Sequence, residues 1–450
     1  MQKMSRRAPG PGLLKFMRGV RKHGLIDYVG QLWREYGDVF HVRIGPKRIV
    51  CVMHPDAVAH VNMDNRRNYE KRASYDAVRD FLVGNGIVAS NGDLWRRQRR
   101  LMAPFYTPKA IQTYADMMVR DGVRLAEHWG QYAESGAEID MHEEMTMVTA
   151  SIILKAMFSK ESHESILQMK DAAGKMLAIV NDRMMGVPVP TWLPTKKNRG
   201  YHAARRLSRE VIQGLIAERK GMDEADWPDD LLSRMMKARD EETGRGMDDQ
   251  LLHDETLTIY FAGHETTARS LTFAWYALAT NPAVTERLHE ELDRVLGGRL
   301  PTVEDLRQLP YTLQVVKEVL RLYPAVTVYA RDAVAADEIG GYEVPAGSSV
   351  LLWSYYTHRH PDFWENPETF DPDRWTRERE SERHNYAYHP FAAGPRVCLG
   401  NNFSLLESHL LLAVLASRFD VQLRPGYRAR WIMDGTLGLA DGLPMSITAR

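Results

Sequence analysis

The sequence predicts a mainly α-helical chain with a smaller β-rich part. Helical periodicity dominates from Pro55 onward, while alternating Val- and Ile-rich stretches appear only near Asp38–Met53 and late in the chain. The 450 residues, 44% hydrophobic and 26% charged, also have ordinary globular composition. Lys plus Arg number 59 and Asp plus Glu 59, so no global charge points to a nucleic-acid partner.

The first two dozen residues cluster Lys3, Arg6, Arg7, Lys15, Arg18, Arg21 and Lys22 around GPG. They read as a solvated arm, since docking on an anionic membrane would require an apolar face beside the charges, and none stands out. DVFHVRIGPKRIVCVM, residues 38–53, alternates around a Gly-Pro turn and predicts a hairpin with Cys51 in its second strand. Helices are expected over residues 55–63, 93–102 and 108–129, then across 142–220 with a break at GVPVPTWLPT. The charged stretches 221–230 and 239–246 read as exposed connections. Strands return at 330–352 and after Phe419. The expected organisation is an arm and first helix over 1–36, then one α+β domain over 37–450, with its β-rich parts mainly at 37–54, 330–352 and 419–450.

The most apolar long stretch, from Ile259, carries His264, Glu265 and Arg269, so it reads as a buried helix and no transmembrane segment is expected. Two cysteines make no disulfide framework, and no signal peptide is apparent, which points to a reducing cytoplasm. Cys398 lies in FAAGPRVCLG, two residues after Arg396 and between Gly394 and Gly400, just before an amphipathic helix. Arginine, backbone amides and a helix N-terminus all favour thiolate. A buried structural thiol and a His-partnered nucleophile remain alternatives, whereas zinc or an iron–sulfur cluster would require more cysteines. A single thiolate is one of the few ligand sets that holds haem iron.

Three further patterns accompany this loop. LQVVKEVLRLYP places Glu318 and Arg321 three apart on a helix, and FDPDRW supplies Arg374. AGHETT, residues 262–267, fails the zinc-protease pattern because Ala268 follows where His is needed. Its Thr266 is placed to bond the Ala262 carbonyl, and Gly263 suggests a local opening of the helix. In NGDLWRRQRRLMAP, Trp95 and Arg99 are donors one turn apart on one helix face, suited to a carboxylate.

FAAGPRVCLG, with Phe391, Gly394, Arg396, Cys398 and Gly400 at their spacing, resembles the haem-binding signature of the cytochrome P450 family, and the other patterns follow in family order. The resemblance implies a triangular-prism helical fold and a haem-thiolate monooxygenase with haem b ligated by Cys398. Trp95, Arg99 and Arg331 would hold propionates, with Arg396 and Ala262 also lining the cofactor. Glu265 and Thr266 would deliver protons, and Glu318, Arg321 and Arg374 would form a structural triad. It further implies a pocket formed from Phe81, Leu82, Val83, Ile87, Val326, Val328, Tyr329, Thr436, Leu437 and Leu439, with Met176, Met184 and Met185 near its roof. The substrate would be lipophilic: a fatty acid, terpenoid, steroid or other natural product. O2 and a ferredoxin- or flavodoxin-type donor with its reductase would complete the system around a monomer. Arg96, Arg97, Arg100 and Lys109 are expected to attract the donor's acidic surface. A haem-thiolate sensor without turnover is the alternative.

Overall fold

The computed structural model describes residues 6–45, 47–160, 163–185 and 189–450, with backbone alone at 163–167 and 184–185. Val187, Met184 and Met185 therefore fall outside the described side chains. Eleven helices of eleven residues or more occur among the described residues: α1 (Leu13–His23), α2 (Leu25–Tyr36), α3 (Gly92–Met102), α4 (Ala115–Ser135), α5 (Met141–Phe158), α6 (His163–Met185), α7 (Lys196–Gly221), α8 (Asp249–Thr280), α9 (Pro282–Leu296), α10 (Pro310–Leu322) and α11 (Asn401–Ala416). Their ends follow from local chemistry. Asp248 caps α8 by accepting the Leu251 N–H at 2.8 Å, and Pro282 opens α9 where its missing N–H costs nothing. Gly136, at φ +67°, stops α4 in the left-handed region that glycine adopts freely.

The chain forms two compact units, residues 1–76 with 318–398, and 77–317 with 399–450. The first holds a five-stranded sheet of β2 (Val39–Ile44), β3 (Lys47–Val52), β9 (Ser349–Leu352), β6 (Tyr329–Ala333) and β4 (Tyr69–Glu70), in that order. The predicted hairpin is its β2–β3 pair, with Phe40 opposite Cys51. Strands β1 (Arg6–Arg7), β8 (Tyr342–Val344) and β7 (Asp337–Ile339) form a second sheet in the same unit. Val50, Val52, Val350 and Leu352 pack with Val58 and Val61 as its apolar core.

The second unit is helical around α8, whose core includes an edge-to-face contact of Trp275 with Trp129 at 5.4 Å. Its strands are β5 (Ile139–Asp140) beside β13 (Pro444–Ala449) and β10 (Phe419–Leu423), plus the hairpin β11 (Trp431–Asp434) and β12 (Thr436–Leu439).

Several expectations change. The 108–129 run breaks at Thr113–Tyr114, and the 55–63 helix widens into a π turn over His60–Asp64. Strands β1, β4 and β5, two residues each, are too short to leave an alternating pattern. Asp230 and Asp240, placed in exposed connections, are buried: Asp230 accepts a bidentate pair from Arg219 at 2.7 and 2.8 Å, and Asp240 accepts from Arg100. From Arg6 onward the arm takes regular structure, since β1 pairs with β8 and two helices follow it. Among the described residues, no helix is long and apolar enough to cross a membrane.

Candidate active site

In the first unit the Cys398 loop is held by its backbone. Cys398 N–H donates to the Phe391 carbonyl at 2.9 Å, and Val397 N–H donates to Gly394. Ala392 and Gly394 have positive φ, and a Cβ on Gly394 would lie 2.3 Å from the Asn62 carbonyl oxygen. Glycine is therefore required twice over at position 394. The Cys398 side chain is exposed, whereas Cys51 is buried in β3 and burial pushes its thiol up to about 12.

Glu318 and Arg321 are fully buried. The Glu318 carboxylate accepts from Arg321 Nε and Nη2, both at 2.8 Å, from Arg374 Nε at 3.3 Å, from Trp375 Nε1 at 3.0 Å and from the Asp371 amide at 2.9 Å. Arg321 spends its other donors on the carbonyls of His358, Pro367 and Thr369, so all five of its N–H groups are used. The network continues: His358 Nε2 accepts the His389 N–H at 2.8 Å, which leaves Nδ1 as the donor to the Arg321 carbonyl. Burial, reinforced by His389 and the arginines, keeps His358 neutral. Glu318 thereby braces the start of the cysteine loop, and Trp375 and His358 are members that spacing alone did not reveal.

Cations gather on the same unit. Arg331 is buried, lies 5.0 Å over the Tyr329 ring, and donates to the Ala330 carbonyl. It pairs with no carboxylate among the described residues. Lys71, which the sequence did not single out, is held well below its ordinary value by burial and by the charges of Arg331 and Arg396, with Cys398 opposing. Arg331, Arg396 and Cys398 all act on Lys71, and two arginine cations grouped with a lysine and a thiol form a donor set fitted to a ligand that carries a metal and carboxylates, as haem does.

In the second unit, Thr266 Oγ1 donates to the Ala262 carbonyl at 2.7 Å, as expected. The expected opening is absent, because α8 is α-helical throughout. Gly263 instead permits close packing, since a Cβ there would lie 2.9 Å from Ile153 on α5. Glu265 accepts from Arg269 at 2.9 Å and from Thr436 at 3.3 Å. Burial opposes ionisation there, but Arg269, helped by His264 and His142, holds the carboxyl below its ordinary value. The Arg269 guanidinium also covers Gly438, where a Cβ would meet it at 2.1 Å. Glu265 thus anchors the β11–β12 hairpin that bears Leu437. Trp95 and Arg99 are both partly buried on α3.

Arg97 and Arg100, expected to attract the donor, are already engaged within the chain. Arg97 donates to the Gly246 carbonyl, and Arg100 is paired with Asp240 and Glu242 at 2.9 Å. Arg96 pairs with Asp93, which leaves Lys109 exposed. The 239–246 connection folds back onto these arginines.

Of the pocket candidates, Phe81 packs on Tyr201 at 6.0 Å under Arg183, Leu82 and Ile87 are half-buried, and Leu437 is buried. Val83 and Leu439 are buried too. Met176 is buried, with the Ser208 hydroxyl 3.8 Å from its sulfur. Val326 is exposed and Val328 half-buried, while Tyr329 belongs to the sheet core and accepts from Asn62 at 3.2 Å.

The GNG stretch acquires a role that its sequence did not disclose. Asp254 Oδ2 accepts the Asn85 amide at 2.8 Å, and Glu255 Oε2 accepts the Ile87 amide at 3.1 Å. A Cβ on Gly86 would lie 1.9 Å from Thr258 Oγ1, so glycine lets this segment press on α8. Glu255 is fully buried, and burial, with the Asp254 charge, pushes its carboxyl up to about 8 against the Ile87 and Gln98 hydrogen bonds. The folded state therefore keeps a proton that the unfolded chain releases near pH 4.5, and wild-type stability declines from there to about pH 8. Glu255→Gln is expected to flatten that decline, which amounts to a few kcal/mol, on the order of 1.4 per pH unit. Urea titrations at pH 5, 6.5 and 8 check it, and parallel profiles for both proteins would refute it.

The sequence matches the family described as "Cytochrome P450" over residues 6–442. It is 35% identical over 420 residues to cyclooctat-9-en-7-ol 5-monooxygenase of Streptomyces melanosporofaciens, covering 89% of this chain and 88% of that protein. It is 34% identical to the same organism's cyclooctatin synthase, with coverages of 88% and 85%. Identity to pentalenene oxygenase of Streptomyces avermitilis is 30%, with coverages of 95% and 96%. The crystal structure of the cytochrome P450DA heme domain superposes with a TM-score of 0.90 at 27% identity, covering 99% of this chain and 98% of that one. Agreement on this scale, in sequence and in fold, means that the chain belongs to the cytochrome P450 family of monooxygenases.

Proposed function

We propose that this monooxygenase carries haem b on Cys398 and hydroxylates an apolar terpenoid, using electrons from a separate ferredoxin- or flavodoxin-type protein. The observation that carries the cofactor reading is the exposed Cys398 thiol on a braced loop, with the buried charge of Arg331, which pairs with no carboxylate among the described residues, on the same unit. Arg331, with Trp95 and Arg99, would hold the propionates. When bound, haem supplies the redox iron at which O2 is activated. Thr266 holds a proton at Oγ1, aimed at the Ala262 carbonyl, and can pass it on by rotating χ1. The ionised Glu265 keeps the β11–β12 hairpin and its Leu437 in register, and would recruit protons only by leaving Arg269.

The substrate class rests on the apolar character of Phe81, Leu82, Ile87 and Leu437, and on relatives whose names denote cyclooctatin- and pentalenene-type oxidation. A panel of cyclic terpene hydrocarbons and alcohols, fatty acids and steroids, screened by spectral shift and then turned over with a surrogate ferredoxin system and NAD(P)H, tests it. Binding and hydroxylation of the terpenes are expected, and a preference for fatty acids or steroids would overturn the substrate reading. Thr266→Ala is expected to keep NAD(P)H consumption while product per NAD(P)H falls roughly a hundredfold, the lower end of what a positioned proton donor contributes. Unchanged coupling would remove Thr266 from the proton path.

A further inference from the structure

We propose that α1 is an interfacial helix that docks this enzyme on an anionic lipid bilayer. The first acidic residue of the chain is Asp27, whereas seven Lys and Arg precede it in a protein of zero formal net charge. The apolar face that the sequence did not make obvious is present on α1. Leu14 is 70% exposed, Met17 59% and Leu13 39%. At about 100° per residue these three fall within a single arc of roughly 100°, and Arg21, one turn beyond Met17, lies in the same arc. Arg18 borders it, and Lys22 lies roughly 40° beyond Arg18 on the same side.

The helix spends its other side on its own unit. A Cβ on Gly19 would lie 2.0 Å from the Tyr28 ring, Phe16 and His23 flank that ring at 6.1 and 6.2 Å, and the Tyr28 hydroxyl donates to the Lys15 carbonyl at 3.2 Å. Lys15 is engaged with Glu35 at 2.7 Å. Arg18, Arg21 and Lys22 are exposed and pair with no carboxylate among the described residues. The outward face thus joins an apolar ridge to cations on long stems, whose charges can reach phosphates while the ridge enters the headgroup layer. An acidic protein would satisfy the charges, but a single convex ridge needs a complementary groove in a protein partner, whereas a bilayer deforms around it.

The test is co-sedimentation of the holoenzyme with vesicles of phosphatidylcholine alone and of phosphatidylcholine mixed with phosphatidylglycerol. Partition is expected to be at least tenfold greater on the anionic vesicles and to weaken as salt rises. Arg18→Glu with Arg21→Glu, and separately Leu14→Asp with Met17→Asp, should each lower it by about tenfold or more, since each cation near the surface is worth about fivefold. All four positions are exposed, so haem content and the thermal transition should match wild type; Leu14→Ala with Met17→Ala covers the case in which the acidic pair disturbs folding. Equal partition on both vesicle types, or undiminished binding by the Leu14 and Met17 variants, overturns the proposal. So does charge reversal that slows reduction by a ferredoxin while vesicle binding is unchanged, which would assign the face to a protein.

Discussion

Glu318→Ala is expected to destabilise the protein by about 3–5 kcal/mol, the cost of stranding one partner of a buried ion pair. Typical domains have only about 5–15 kcal/mol in total. The substitution leaves two donors of the fully buried Arg321, the Arg374 Nε, the Trp375 indole and the Asp371 amide without their acceptor. Loss should spread along Arg321, His358 and His389 to the cysteine loop, so haem content should fall together with stability. Urea denaturation and the haem-to-protein ratio measure the two. A midpoint shift equivalent to less than about 1 kcal/mol would mean that these bonds contribute no more than exposed ones. Glu318→Gln should fall between, because its amide keeps one acceptor but brings an N–H toward Arg321 or Trp375.

Cys398→Ser is expected to abolish the thiolate signature of the reduced, carbon monoxide-treated protein and to lower turnover by roughly a thousandfold or more, equivalent to about 4 kcal/mol in the barrier. The loop backbone should survive, since its hydrogen bonds are main-chain. Cys51→Ser separates ligation from packing. It buries a hydroxyl in β3 and should cost about 1–3 kcal/mol of stability while the thiolate signature stays intact. A normal signature in the Cys398 variant would dismiss the haem-ligation reading.

Legibility followed the range of the interactions. Cys398 was readable as a ligand candidate because its setting of Arg396, Gly394 and Gly400 is local, and Glu318 with Arg321 because they share one helical turn. Helix α3 and the β2–β3 hairpin were readable from period and turn chemistry. The purpose of GNG was not, because its glycines answer to Thr258 and Asp254, more than 160 residues away in sequence. The engagement of Arg97 and Arg100 was hidden in the same way, because Gly246 and Asp240 approach α3 only through folding. Lys71 has no motif of its own, and its neighbours Arg331 and Arg396 arrive from elsewhere in the chain.

By itself the sequence determined the mainly α character, the candidacy of Cys398 as a ligand and the order of the motifs around it, since these depend on residue type and short spacing. Tertiary structure decided which charges are already engaged: Glu265 with Arg269 and Thr436, Arg100 with Asp240, but Arg331 with no carboxylate among the described residues. It also decided which apolar residues face outward, as Leu14 and Met17 do on α1. The physical reason is that ionisation and burial depend on what lies within a few ångströms, and for these residues the deciding neighbours are brought close only when the chain folds.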